Sequence, residues 1–425
     1  MKTLDCFDFD PNWSENVPKP KSLSKSEPFY EDKLLMIPGP TNLGSKVQQE
    51  LSRSILSHTD PQFHQNAIDR LFLLPKKKLL GEIQDGLRYL FQTKNSHTFA
   101  LTGSATLAME CALCNFLSPR QSLLSLVHGY WGERIATMAE RLGFKAYRLR
   151  SQFFGENFTL DRIENALRRF RPSMLYVCHC DSSIGFVQNL QGIGQLCHRY
   201  DCLLLVDAVV SLCTTPLSMD RWDIDILFSG AQKALSGPPG LALISFSQKA
   251  IDRLPQKDGR SCRSFYLDIK LIAKSWGIDD QRSFTYHYTP AINLLFGLRA
   301  AIVAVIDESL KSIVRRHRNV RDCLENELQK LDLKFLIENP SNRSAGITSV
   351  LIPNDIDGSK VMESLSKNDN ILIGGSLLRP NSAANIPKFW RFGYLGVNAD
   401  CRKIKLLVRG LRNALIDQRK LRAHL

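Results

Sequence analysis

Ser229-Gly230-Ala231-Gln232-Lys233-Ala234-Leu235-Ser236-Gly237-Pro238-Pro239-Gly240 places one lysine among small residues, just after the apolar run Ile224-Asp225-Ile226-Leu227-Phe228. Its companion is Leu203-Leu204-Leu205-Val206-Asp207, an uninterrupted apolar strand ending in an acid. Small neighbours at a strand's exit let a bulky planar ligand reach the lysine amine. An acid ending a neighbouring buried strand can face a cationic ring nitrogen. Together they offer a Schiff-base lysine and a carboxylate for a pyridinium. Alone, Lys233 reads as a solvated lysine in a turn, since lysine is mostly exposed. The company it keeps along the chain decides between the two readings.

From His97 onward, apolar runs alternate with amphipathic stretches. Thr98–Leu101, Leu123–Val127, Met174–Cys178, Leu203–Val206, Ile226–Phe228 and Leu241–Phe246 read as buried strands. Ala105–Phe116, Trp131–Leu142, Leu160–Arg169 and Leu190–Tyr200 read as helices between them. That alternation predicts an α/β domain on a mostly parallel sheet. Beyond about residue 305 the pattern changes. A long polar helix over Ile306–Leu331 precedes short strands at Leu333–Ile337, Thr348–Ile352, Ile371–Ile373 and Trp390–Tyr394, with helices at Gly358–Leu365 and Ala399–Asp417.

Three regions follow. Residues 1–30, polar and rich in Pro, Ser and Lys, form a flexible N-terminal extension. Residues 31–307 form the large α/β domain, opening on an arm in which Pro38-Gly39-Pro40 breaks an extended piece and Thr41 or Asn42 caps a helix through Leu51. Within it a helix spans Leu79–Thr93, and residues 66–78, with Pro75, read as an insertion. Residues 308–425 form a smaller C-terminal α+β domain.

In parallel sheets, ligands bind beyond the carboxyl ends of the strands. Five consecutive strand ends here carry suitable groups. Gly103-Ser104-Ala105-Thr106 opens a helix whose free amides suit a phosphate. His128-Gly129-Tyr130-Trp131 offers an indole to lay over a flat ring. His179-Cys180-Asp181-Ser182-Ser183, Asp207 and Lys233 complete the series. Each group has a bland alternative; the series is what a phosphorylated aromatic cofactor requires.

The composition narrows the field. The chain has 425 residues, 44% hydrophobic and 23% charged, with no apolar run near the length of a membrane span. Its net charge of +14 is spread along the chain without a nucleic-acid motif, so we expect a basic enzyme attracting small anions, with no nucleic-acid or membrane partner. Eleven cysteines show no zinc spacing or disulfide framework and read as reduced thiols, with no metal site expected. The closing Ala423-His424-Leu425 resembles the small-basic-leucine address read by a peroxisomal import receptor, so we expect a peroxisomal protein, otherwise a cytoplasmic one.

The residues also carry a family resemblance. Pro38-Gly39-Pro40-Thr41-Asn42, Gly103-Ser104-Ala105-Thr106, Tyr130-Trp131-Gly132, Asp181-Ser182-Ser183-Ile184-Gly185, Val206-Asp207, Ser229-Gly230-Ala231-Gln232-Lys233, Tyr286-His287-Tyr288-Thr289-Pro290 and Trp390-Arg391-Phe392-Gly393 make the chain, from about Leu34 onward, similar to class V aminotransferases of the alanine–glyoxylate / serine–pyruvate group. The resemblance implies the fold type I architecture of pyridoxal-phosphate (PLP) enzymes, with a seven-stranded, mostly parallel sheet. It implies that Lys233 binds PLP covalently and shuttles protons, and that Asp207 faces the pyridine nitrogen. Trp131 stacks on the ring, Val209 packs on its other face, and Ser183 bonds near its phenolic oxygen. Ser104, Ala105, Thr106 and Gln232 hold the phosphate, with Tyr286 and Thr289 reaching in from the second subunit of a homodimer. Arg391 binds the substrate carboxylate, with Gly39 and Asn42 lining the substrate side.

The implied activity is transfer of an amino group from alanine or serine to glyoxylate or pyruvate, in the manner of glyoxylate detoxification. A 3-hydroxykynurenine transaminase would use the same sites. A catalytically silent scaffold would have no need of Lys233, Asp207 and Arg391 together. Where the group usually has glycine, this chain has Ala105 and Cys213-Thr214, and Ile184 replaces a frequent threonine.

Overall fold

Strands buried on both faces need unbroken apolar sequence, and the runs read above meet that need as one sheet. The computed structural model describes residues 32–57, 60, 66–68, 75–77, 79–254, 262–278, 286–378 and 386–423. The extension 1–30 therefore lies outside the described residues. In chain order the principal elements begin with β1 (Leu34–Met36), α1 (Ser45–Leu51), α2 (Leu79–Phe91), β2 (Thr98–Thr102), α3 (Ala105–Phe116), β3 (Ser122–Val127) and α4 (Tyr130–Arg141). They continue with β4 (Lys145–Arg150), α5 (Leu160–Phe170), β5 (Met174–Cys178), α6 (Ile193–Arg199), β6 (Leu203–Asp207), β7 (Ile226–Gly230) and β8 (Leu241–Phe246). The last are α7 (Ile292–Glu308), α8 (Leu310–Gln329), β9 (Ile347–Leu351), α9 (Gly358–Asn368), β10 (Ile371–Gly375), β11 (Phe389–Gly393) and α10 (Cys401–Ala423).

The large sheet has seven strands in the order β2-β8-β7-β6-β5-β3-β4. From β7 to β4 every pairing is parallel, while β8 runs antiparallel to both of its neighbours. Leu203 to Asp207 are buried throughout, as are Ile226 to Gly230. This is the seven-stranded, mostly parallel sheet that the resemblance implies. The register sets Asp207 beside Cys178 on one side and Phe228 on the other. The ends of β5, β6 and β7 therefore deliver their following residues to one edge.

A second sheet, β1-β10-β11-β9, has its own core around Val350, Trp390, Phe392, Ile404 and Leu411. Here the sequence reading needs correction: β1 pairs in parallel with β10, so Leu34–Met36 belong to the small sheet and not with residues 31–307 as a block. Neither Thr41 nor Asn42 caps α1, whose N-cap is Gly44. Instead the Thr41 hydroxyl donates to the Leu395 carbonyl, and Asn42 Oδ1 accepts from the Leu35 amide.

Other differences have local causes. The strand β4, Lys-Ala-Tyr-Arg-Leu-Arg, escaped the apolar criterion because it is a charged sheet edge; Arg148 pairs with Glu133 and Glu140 on α4. The single helix expected over Ile306–Leu331 is two, divided at Ser309, whose φ of 72° ends α7 and whose hydroxyl caps α8. Leu333–Ile337 makes only an isolated bridge, Phe335 to Val350. Of the expected insertion, Asn66–Ile68 and Pro75–Lys77 pair as an antiparallel ladder, and the remainder of it lies outside the described residues. Helix α10 ends at Ala423, with His424 and Leu425 outside the described residues.

Candidate active site

The reactive lysine is built by a short turn after β7. Ser236 N–H donates back to the Lys233 carbonyl, and Gly237 N–H to that of Ala231, closing the turn without long side chains. The arm following β1 lies across it. Thr41 N–H donates to the Gln232 carbonyl at 3.1 Å, and Lys233 Nζ donates to the Pro38 carbonyl at 2.7 Å. Gly39 has φ of 116°, and a Cβ there would sit 2.2 Å from Lys233 Nζ. Only glycine admits the amine at that point. Gly39→Ala is accordingly expected to lower PLP affinity by about tenfold or more, through displacement of the amine and strain of the arm, measured by absorbance titration.

Burial depresses the Lys233 pKa to about 8, with Asp207 pulling it up and Arg391 pushing it down. About a tenth of the amine is therefore neutral at pH 7 and about half at pH 8, far more than for a free lysine, and the neutral form is what a nucleophile needs. Asp207 is buried at the end of β6. Its Oδ1 accepts the Val209 amide at 2.9 Å, and its Oδ2 accepts the Tyr176 hydroxyl at 3.0 Å. Burial raises its pKa to about 7, against those two hydrogen bonds. A buried carboxylate this poorly compensated is matched to a bound cation. Tyr176 was missed from the sequence, where it reads as one more apolar strand residue.

At the next strand ends the assignments are refined. Trp131 is the second residue of α4, and its indole Nε1–H donates to Ser182 Oγ at 2.8 Å. Ser183 is fully buried; its hydroxyl donates to Asp181 Oδ1 at 2.5 Å and accepts the Tyr130 amide at 2.9 Å. That commitment uses the Ser183 hydroxyl within the turn and at the start of α4. Ser182 is the hydroxyl beside the indole. Val209 is half-buried, two residues after the carboxylate that its amide stabilises.

Ser104 is the N-cap residue of α3, yet its side chain makes no cap hydrogen bond, and no acid occupies the first turn. The amides at Ala105 and Thr106 thus present a helix N-terminus without an anion of its own. Thr106 Oγ1 accepts weakly from Arg134, 3.5 Å away, whose guanidinium lies 5.6 Å from the Trp131 ring. Gln232 Oε1 is buried without a hydrogen-bond partner, so its amide is uncommitted to the fold. Tyr286 is exposed, its hydroxyl 3.1 Å from Thr289 Oγ1, on a stretch tied to Thr102 by the Ala291 amide.

Arg391 is buried on β11. Its Nε donates to the Gly375 carbonyl at 2.7 Å and its Nη1 to the Ser182 carbonyl at 2.9 Å. Burial lowers its pKa to about 10, so it stays charged. Asn42 is placed differently from expectation: its Oδ1 also accepts the Asn398 amide at 2.8 Å, and so it fastens β1 to the chain after β11. His128 and His179 are neutral core groups. Burial takes each to about 3, and His128 packs between Phe158 and Phe186. Two grooves of about 620 and 740 Å³ flank α8, but neither includes these residues.

A lysine amine with a lowered pKa, a buried carboxylate, an indole near the start of α4, an uncommitted amide and an anion-free helix N-terminus together fit PLP. The comparisons agree. The model of the family "Aminotransferase class-V" matches residues 39–395. The chain belongs to the class V aminotransferase family and is a transaminase. It is 36% identical to the alanine–glyoxylate aminotransferase of Felis catus over 90% of this chain and 88% of the relative. The crystal structure of alanine–glyoxylate aminotransferase from Nostoc sp. superposes with a TM-score of 0.83 at 32% identity, covering 96% of this chain and all of that one. The ureidoglycine–glyoxylate aminotransferase of Bacillus subtilis gives a TM-score of 0.84 at 26% identity, covering 93% and 95% of the two chains.

Proposed function

We propose that this transaminase uses PLP at Lys233 to move an amino group from alanine or serine to glyoxylate or pyruvate, in two half-reactions. The observation that carries the reading is the parallel pairing of β6 with β7, which delivers Asp207 and the Lys233 turn to one sheet edge, with Arg391 near enough for its charge to act on the amine. It brings the group that moves protons, the partner of a ring nitrogen and the binder of a carboxylate into one site. Relatives named for alanine and glyoxylate support this choice of substrates.

PLP, when bound, supplies the electron sink that makes a substrate Cα–H acidic. The chain's own residues do the rest. Lys233, neutral in part at pH 7 to 8, takes the Cα proton at Nζ and returns it on the far side of the transfer. Asp207, through the charge on its buried carboxylate, would favour a protonated ring nitrogen on the bound cofactor. Arg391 receives the substrate carboxylate, and its bonds to Gly375 and Ser182 fix the guanidinium plane.

The exposed Tyr286–Thr289 pair supports a homodimer with composite sites, which sedimentation would read as twice the chain mass. A peroxisomal destination through Ala423-His424-Leu425 belongs to the same proposal, tested by localisation with and without that tripeptide. The activity is tested by a screen of donors and acceptors, following pyruvate release from alanine. Arg391→Lys is expected to raise the alanine KM about 100-fold with a smaller change in kcat, because bidentate geometry is lost. Turnover of 3-hydroxykynurenine without turnover of alanine would overturn the substrate assignment.

A further inference from the structure

The turn Asp181-Ser182-Ser183 touches both halves of the site. Ser182 faces two ways: its Oγ accepts from the Trp131 indole, and its carbonyl accepts from Arg391 Nη1. The cofactor-stacking ring and the carboxylate-binding guanidinium therefore rest on a single residue. Asp181 holds that residue in place. Its Oδ1 accepts both the amide of Ser183, at 2.8 Å, and the Ser183 hydroxyl, at 2.5 Å. Ser183 Oγ in turn accepts the Tyr130 amide at the start of α4, one residue before Trp131.

The surroundings show that this arrangement is not free. Asp181 is fully buried, and its Oδ2 has no hydrogen-bond partner. Leaving a buried carboxylate oxygen unpaired is destabilising. Gly129 makes room for it; a Cβ there would lie 2.3 Å from Ser183 Oγ and 2.9 Å from Asp181 Oδ2. Burial raises the Asp181 pKa, while Ser183, Arg391 and the Trp131 amide favour its charged form. Asp207 is the other charge that feels it.

We propose that Asp181 is a positioning residue: it locks the Ser182-Ser183 turn to the N-terminus of α4, so that Trp131 and Arg391 share one register. The inference rests on the reading that Trp131 stacks on PLP and Arg391 binds substrate. Cofactor affinity and substrate KM then change together when the turn loosens, although Asp181 touches neither molecule.

The test compares full-length wild type, Asp181→Ala, Asp181→Asn and Ser183→Ala. The readouts are the PLP dissociation constant, the alanine KM and kcat, and the melting temperature of each apoprotein. Asp181→Ala is expected to raise both the dissociation constant and KM about tenfold or more, with kcat altered less. Asp181→Asn keeps an oxygen for both Ser183 donors and is expected to return both constants to within about threefold of wild type. Ser183→Ala, a smaller change that removes the link to α4 and the hydroxyl's bond to Asp181 but leaves the Ser183 amide on Asp181, raises both in the same direction and keeps the test open if Asp181→Ala fails to fold. A lowered melting temperature with both constants unchanged, or movement of one constant alone, would overturn the proposal. So would an Asn variant as impaired as the Ala variant. A wild type that neither binds PLP nor turns over alanine would instead defeat the proposed function.

Discussion

Lys233→Ala is expected to lower kcat by about 10⁴-fold or more while leaving the fold intact, because it removes both the covalent anchor and the proton carrier. The side chain is half-buried and spends its one hydrogen bond on the Pro38 carbonyl, so its loss opens little of the core. Removing a buried ammonium also relieves a desolvation penalty, the main cause of its depressed pKa. The apoprotein's melting temperature should therefore stay equal or rise. Reduction with borohydride in the presence of PLP should label wild type and not the variant. Normal turnover in Lys233→Ala would remove the lysine from the mechanism.

Asp207→Asn is the second large effect, a loss of about 10³-fold in kcat, or ~4 kcal/mol of transition-state stabilisation. The replacement is nearly isosteric and retains an oxygen for one of the two donors, Val209 N–H and the Tyr176 hydroxyl. What disappears is charge. The apoprotein supplies an independent check. Burial raises the Asp207 pKa from 3.8 to about 7 in the folded state. Below about pH 4 the carboxyl is protonated in both folded and unfolded chains, so it contributes no difference. Between that value and pH 7 the unfolded chain ionises first, and folding is progressively disfavoured. The stability of Asp207→Asn relative to wild type should thus grow as pH rises through this window and level off above it. A difference that is flat with pH would mean that Asp207 ionises in the folded protein as it does in water.

The sequence exposed the large sheet well because its central strands are buried on both faces. Leu203–Val206 and Leu241–Phe246 admit no polar residue that could blur the pattern apart from Ser245, which bonds to Thr98. Charged β4 at the edge carries no such signature, and β1 is three residues long with its partner more than 330 positions away. No local pattern can assign such a strand to a sheet.

At the site, residues whose identity defines their chemistry were readable: Lys233, Asp207, Trp131 and Arg391. Residues whose role depends on direction were not. Ser182 and Ser183 are adjacent hydroxyls, and only the commitment of Ser183 to Asp181 and Tyr130 shows that Ser182 faces the indole. Asn42 likewise turned out to bind backbone across the β1 junction. Cys213, which replaces a frequent glycine, takes φ of 66°, a conformation that glycine adopts at no steric cost.

The central claim is that Lys233, Asp207 and Arg391 form one PLP-dependent transamination site. The measurement that tests it most directly is the visible absorption of the purified protein with PLP, followed as alanine and then glyoxylate are added. The account predicts a visible band from cofactor attached at Lys233, bleached by alanine and restored by glyoxylate. A protein that stays colourless with added PLP, or whose band no amino acid alters, would contradict it.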